Sequence, residues 1–235
     1  MRILAIETTE RIGSVAALDG AELVAEARLP SDQRSAQSLA PALAKLLKQL
    51  GWLAGDVDLI AVTDGPGSFT GLRIGVTTAK TLAYAAGADV LGVNTLEVIA
   101  AQAPSLDDEV NAKITAVIDA QREQLCSASF SWSDRAAIHC AGETHIVDRA
   151  DWLSSRQPGE VVTGPGLSRL TDDLPQHVTV VDAEHWAPRA ATVGKLAVAH
   201  YESGRRDDLF QLVPSYYRPS AAEEKWIERH GGDAS

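Results

Sequence analysis

The stretch Val62–Gly87, VTDGPGSFTGLRIGVTTAKTLAYAAG, decides how the chain is read. Before it, the apolar run Leu59-Ile60-Ala61-Val62 stops at Asp64-Gly65-Pro66-Gly67, a dense cluster of turn residues. A helical pattern follows, with Ser68 or Thr70 available as its side-chain N-cap. Gly71, Gly75, Ala79, Ala83 and Gly87 then recur every fourth residue, which leaves one helix face nearly flat. A glycine inside a helix costs about 1 kcal/mol relative to alanine, so Gly71 and Gly75 need a compensating reason. Close approach of another backbone supplies one.

The glycine-rich turn fits neither common phosphate-binding pattern. No Gly-Lys-Ser/Thr follows it, as a P-loop requires, and Gly65-x-Gly67-x-x-x-Gly71 has one residue too many for a dinucleotide fingerprint. Two readings remain open. Free N–H groups at a strand-to-helix turn can meet an anion or another chain, or the turn is a plain one that packs inside its own chain.

With 235 residues, of which 45% are apolar, there is material for one large core or two small ones. A formal net charge of −11 repels phosphate backbones, so nucleic acid is expected to be reached only through a partner that supplies basic surface. No apolar run approaches the ~20 residues that span a bilayer, so no membrane association is expected. MRILAIETT at the N-terminus reads directly as a strand and is too short for a signal peptide. Cys126 and Cys140 imply no disulfide scaffold; both fit buried strands and the thiols of a reduced cytosol, so a cytoplasmic location is expected.

Taken in order, Ile3–Ile6 is a strand, and Ser14–Leu18 with Glu22–Leu29 forms a hairpin turned by Asp19-Gly20. A helix carries Leu39, Leu43, Leu46, Leu47 and Leu50 on one stripe, tolerates Pro41 in its first turn and ends at Gly51. Strand Leu59–Thr63, the glycine-faced helix, strand Val90–Val93 and a helix over about Thr95–Ala103 complete the order β-β-β-α-β-α-β-α. After a polar linker, Pro104–Glu109, the order starts again with strands Ile114–Asp119, Gln124–Trp132 and Ile138–Val147. Asp148 or Asp151 can start a short helix through Ser155; strand Val161–Thr163, a helix opened by Gly164-Pro165-Gly166-Leu167-Ser168, strand Val178–Val181 and helix Ala190–Tyr201 follow. The halves also rhyme: Val62-Thr63-Asp64-Gly65-Pro66-Gly67-Ser68 recurs loosely as Val162-Thr163-Gly164-Pro165-Gly166-Leu167-Ser168, and Glu7 and Asp119 each close a first strand. We read a duplicated α/β unit with three antiparallel strands followed by parallel crossovers. The expected parts are residues 1–104, residues 105–204 and a polar tail, 205–235. Tyr216-Tyr217 is expected to dock onto the body, Ala221–His230 to form a short charged helix, and Gly231–Ser235 to be disordered.

A duplicated β-β-β-α-β-α unit resembles the ribonuclease-H-like superfamily of actin, hexokinase and heat-shock ATPases, whose first hairpin grips nucleotide phosphates. Within it, Gly65-Pro66-Gly67-Ser68-Phe69-Thr70-Gly71-Leu72-Arg73-Ile74-Gly75, followed by Gly92-Val93-Asn94-Thr95-Leu96, is similar to the TsaB (YeaZ) family. So is the tail, Pro214-Ser215-Tyr216-Tyr217-Arg218 with Ser220-Ala221-Ala222-Glu223. The resemblance implies a non-catalytic scaffold for the related TsaD, which works with the ATPase TsaE to place a threonylcarbamoyl group on the anticodon-adjacent adenosine of tRNA. The donor, threonylcarbamoyl-AMP, comes from a separate synthase. It also implies a partner surface on the first half, used against TsaD or in a homodimer when TsaD is absent. That surface is expected at Leu39, Leu43, Leu46, Gly71, Arg73, Ile74, Gly75, Thr78, Ala79 and Leu82. Glu7, Thr8, Thr9, Gly65, Gly67 and Ser68 are the expected phosphate contacts. No cofactor of the chain's own is implied, although ATP or ADP with magnesium fits the partner interface.

The catalytic relative carries Gly-Val-Asn-His-x-x-x-His, two metal ligands one helical turn apart. Aligned through Gly92-Val93-Asn94, this chain has Thr95 and Ile99 there, and isoleucine offers a metal no lone pair. Its six histidines show no metalloprotease spacing either, so neither a metal site nor a peptidase is expected. Two family features are altered. Glu7-Thr8-Thr9 replaces the usual Asp-Thr-Ser, which moves a carboxylate by roughly one bond length. Asp119-Ala120-Gln121-Arg122-Glu123-Gln124-Leu125-Cys126 departs from Asp-Ala-Arg-x-x-Glu-Val-Tyr. The competing function is an ATP-dependent enzyme of the kinase type, with Glu7, Asp119 and Gly164-Pro165-Gly166 around phosphate and magnesium, for which no general base can be named.

Overall fold

The chain's structure is a computed structural model that describes residues 1–104, 113–134, 137–218 and 226. Its first strand, β1 (Arg2–Glu7), is buried at five of six positions, because both faces of its sheet are covered. Leu4 and Ile6 point to one face and Ile3 and Ala5 to the other, as the period of two requires. β2 (Ser14–Asp19) and β3 (Glu22–Arg28) continue antiparallel from β1, with Gly20 in the turn as expected. After α1 (Ser35–Leu50) come β4 (Leu59–Gly65), α2 (Phe69–Ala86), β5 (Asp89–Asn94) and α3 (Thr95–Ala101). β4 pairs parallel with β1 and β5 parallel with β4, giving the order β3-β2-β1-β4-β5.

The second sheet repeats this wiring. β6 (Lys113–Gln121) lies between the antiparallel β7 (Gln124–Asp134) and the parallel β10 (Val161–Thr163), which pairs on to β11 (Thr179–Val180). The third place, expected as one strand over Ile138–Val147, is shared by β8 (Ala137–Cys140) and β9 (His145–Asp148). β8 pairs with the far end of β7 and β9 with its start, and the Ala141–Thr144 step between them contains Gly142. α4 (Arg149–Ser154) follows, and then α5 (Ala190–Glu202).

The helices cross between the halves. α5 covers the first sheet, packing Ala190, Val193 and Ala197 on Ile3, Ala5, Leu59 and Leu91. α3 in turn sends Leu96, Ile99 and Ala100 into the second core, against Ile114, Ala116 and Phe130. The linker expected at 104–109, the tail helix and the disordered end fall outside the described residues, apart from Pro104 and Trp226.

Three expectations are corrected here. Pro41 is the seventh residue of α1 rather than a first-turn residue, because the helix begins at Ser35, ahead of its leucine stripe. The helix expected after Gly164 is only a short 3-10 turn, Pro165–Arg169. Gly164 has φ 116° and Gly166 lies against the Ile118 backbone, so this segment is pressed onto β6 and has no room for a full α-helix.

The third correction concerns the flat face of α2, which looks inward. Leu39, Leu43, Leu46, Gly71, Gly75 and Ala79 are all buried under the first sheet's own helices and are no free partner surface. The backbone that the glycines admit belongs to the same chain. Thr8, in the turn after β1, donates its hydroxyl to the Gly71 carbonyl at 2.8 Å, and a methyl group at Gly71 would overlap the Thr8 carbonyl oxygen. At Gly75 it would overlap Thr8 Oγ1 and touch Val62. Of the ten expected interface residues, Arg73, Ile74, Thr78 and Leu82 reach the outside.

Gly71→Ala gains about 1 kcal/mol of helix propensity yet meets backbone that cannot yield, so the clash decides the sign. We expect thermal denaturation to show a lowered Tm for Gly71→Ala and a loss of about 1–3 kcal/mol or more for Gly75→Leu. A raised Tm for Gly71→Ala would contradict the seat described here.

Candidate functional site

A cleft of about 540 Å³ opens between the halves. On one side it is lined by the turn after β4 and the start of α2, Pro66 to Thr70. Opposite lie the end of β6 and its hairpin, Ile118 to Arg122, with Cys126 and Ile146 behind; Ser215 to Arg218 form a third wall. The turn exists because β4 ends at Gly65 and Ser68 caps α2, its Oγ accepting from the Gly71 N–H at 3.3 Å.

The six expected phosphate contacts do not offer themselves to this cleft as a set. Glu7 is fully buried; its Oε1 accepts the Thr9 N–H and the Thr9 hydroxyl, both at 2.5 Å. Its Oε2 is buried with no partner among the described residues. Burial pushes the Glu7 carboxyl up to about 8, with nearby Glu10 adding to the rise, so the group is neutral at pH 7. A neutral carboxyl is a poor partner for magnesium-bound water. The Thr8 hydroxyl is spent on Gly71, the Ser68 N–H on the Thr9 carbonyl at 2.9 Å, and Gly65 is covered by the Ser215 backbone. Gly67 lies against Thr9, where an added Cβ would be 2.5 Å from the Thr9 Cβ. These groups knit the turn after β1 to the glycine turn, and a phosphate with magnesium does not fit them.

Asp119, the matching acid of the second half, is half-exposed and pairs with Arg169 at 3.2 Å, while its Oδ1 accepts the Gln121 N–H at 2.7 Å. Burial also raises Glu10, and Asp119 contributes to that rise. Burial and the 2% exposure of Cys126 push its thiol up to about 12, which leaves it unreactive at neutral pH.

The sequence pointed to Tyr216 and to the glycine turn without showing how they meet at the cleft. Tyr216 stacks on Phe69 with ring centroids 4.6 Å apart, and its hydroxyl accepts from Arg73 Nε at 3.2 Å. Of the aromatic tail pair, Tyr216 docks on the body, as expected. Asp64, in the glycine turn itself, is pushed up to about 6 by burial against the pull of Arg205, with Asp207 and Glu97 adding to the rise. The signal for this region was the one apolar run in an otherwise polar tail, Leu212 to Tyr217.

On α3, capped by the Asn94 side chain, Thr95 and Ile99 stand one turn apart and are both fully buried. Ile99 packs in the second core, and Thr95 Oγ1 has no partner among the described residues. No group of three His, Cys, Asp or Glu among the described residues is placed to hold a metal ion, and no described helix is long and apolar enough to cross a membrane.

Two sheets of identical wiring, with crossed helices and a cleft between them, define a duplicated α/β protein. A family model described as TsaD: tRNA N6-adenosine threonylcarbamoyltransferase matches residues 29–164, more than half of the chain, and the chain belongs to that family. Its full-length likeness is to TsaB. The tRNA threonylcarbamoyladenosine biosynthesis protein TsaB of Bacillus subtilis (strain 168) is 29% identical over 97% of this chain and 99% of its own length. TsaB of Escherichia coli (strain K12) is also 29% identical, over 96% and 98%. The solved structure of YeaZ from Pseudomonas aeruginosa superposes with a TM-score of 0.77 at 26% identity, covering 92% of this chain and 99% of that one.

Glu7 makes stability depend on pH with a defined sign. Its folded-state value is raised from 4.5 to about 8, so between these limits the folded protein holds a proton that the unfolded chain has lost. Stability from this group is complete below about pH 4.5 and falls as pH rises towards 8. Glu7→Gln, neutral at every pH, should flatten that decline in denaturant titrations. An unchanged slope would show that Glu7 is ionised in the fold.

Proposed function

We propose that this chain is an accessory subunit in the formation of threonylcarbamoyladenosine in tRNA, without catalysis of its own. The observation that carries the reading is on α3. Where the catalytic relative's pattern needs two histidines, this chain has Thr95 and Ile99, both fully buried and one of them without any donor atom. The family and the full-length likeness to TsaB supply the reaction.

On this reading the partner is TsaD, with TsaE as the associated ATPase, and the chain self-associates when TsaD is missing. The outward strip of α2 is the docking surface: Arg73, Ile74, Thr78 and Leu82, continued by the half-buried Leu47 and Leu50 of α1. Shallow ridges of this kind pack against a second pair of helices. With a net charge of −11 the chain meets tRNA only inside the complex. It brings no cofactor, and ATP or ADP with magnesium sits at the surface shared with TsaD. The work is done in the cytoplasm.

The test is threonylcarbamoyl transfer to tRNA in a mixture of the synthase, TsaD, TsaE and ATP, with this protein added, omitted or supplied alone. Transfer should require the chain, and the chain alone should transfer nothing. Undiminished transfer without it, or transfer by it alone, would overturn the proposal.

A further inference from the structure

The β6–β7 hairpin turns through Gln121, Arg122 and Glu123 with φ of 64°, 51° and 59°. Three consecutive left-handed residues, none of them glycine, are disfavoured by their own Cβ atoms. The turn has outside support. Arg218 Nη1 donates to the Ala120 carbonyl at 2.5 Å and, at 3.4 Å, to that of Gln121. The Arg149 N–H reaches the Glu123 carbonyl at 2.9 Å.

Arg218 lies on a segment whose earlier residues are fastened to the first half. Asp207 Oδ2 accepts the Gly92 N–H at 2.8 Å, and Lys80 Nζ donates to the Phe210 and Leu212 carbonyls at 3.1 and 2.9 Å. The Ser215 N–H reaches the Asp64 carbonyl at 2.7 Å, and Tyr216 is stacked on Phe69. The segment therefore leaves the glycine turn of one half and ends on the strained hairpin of the other, and both lie on the cleft's rim.

We propose that Ser215–Arg218 is a clasp: by holding the left-handed β6–β7 turn against the first half, it limits how far the cleft between the sheets can open towards Cys126, which is buried in the second core at its wall. A turn that stores strain relaxes when its restraint is removed, and the clasp is where a bound partner or ligand would act to open the cleft. The inference is independent of the accessory role, since it concerns only how this chain's two halves are tied.

Cys126 reports the state of the clasp. It lines the cleft at 2% exposure, whereas Cys140, expected in a buried strand, is exposed on the short strand β8 and is replaced by serine in the test protein. In the full chain, Arg218→Ala should speed labelling of Cys126 by a neutral-pH thiol reagent about tenfold or more, the scale expected for losing charged hydrogen bonds. Amide exchange in α5 should stay at the parent rate, which separates opening from unfolding. Adding Gln121→Gly, which removes one left-handed penalty, should bring labelling back towards the parent rate. Labelling unchanged by Arg218→Ala overturns the clasp, as does fast labelling that the glycine fails to slow or that comes with faster exchange in α5.

Discussion

Thr8, its backbone seated against Gly71 and its hydroxyl against Gly75, makes the contact on which the rest of this structure depends. It fixes how closely α2 lies on its sheet. From there it fixes the turn at Gly65–Ser68, because Ser68 reaches back to the Thr9 carbonyl. The turn in turn presents Phe69 and Arg73 to Tyr216 and so decides where the C-terminal segment lies. A methyl group at Gly71 disturbs this sequence of contacts at its origin.

The same seat accounts for what the first half does not do. In a hairpin built to grip phosphate, hydroxyls and N–H groups stand free and a carboxylate stays ionised. Here Thr8, Thr9 and Ser68 bond within the fold, and the Glu7 carboxyl is neutral at pH 7 beneath them. Polar chemistry has been turned into packing. What stays outward is the opposite side of α2, the cleft rim and the half-exposed Asp119 of the second half. An arrangement of this kind suits a protein that positions a partner.

The element order and the duplication were legible in the sequence because strand alternation and leucine spacing are local, and both sheets follow them. The crossing of α3 and α5 between the halves was not legible, since a stripe of apolar residues states that a face is buried and not against which sheet. The small-residue face of α2 shows the same limit. Periodicity identified Gly71, Gly75 and Ala79, and close backbone approach was the right cause at Gly71, but the approaching backbone was the chain's own and at Gly75 the neighbour is the Thr8 side chain. Thr8 lies far away in sequence, and its role is set by tertiary contact alone. For Ile99 the chemistry was readable from the residue type alone, since no placement gives isoleucine a metal-binding atom, while its seat in the second core was not. The clasp residues were legible as a motif, Pro214 to Arg218, and Tyr216-Tyr217 as a docking pair, but the reach of Arg218 to the β6–β7 turn was not, because its partners there are main-chain carbonyls that carry no sequence signal.

The central claim is that α2 is shared, with glycines inward on Thr8 and the half-buried flank Ile74, Thr78 and Leu82, beside the exposed Arg73, left for the partner. It is tested most directly by placing a single cysteine at Thr78 in a chain whose Cys140 is serine and measuring its labelling with and without TsaD. Rapid labelling of the free chain at low concentration and strong protection in the complex is the predicted result. A complex that forms while Thr78→Cys stays fully reactive would contradict the account and move the partner surface elsewhere on the molecule.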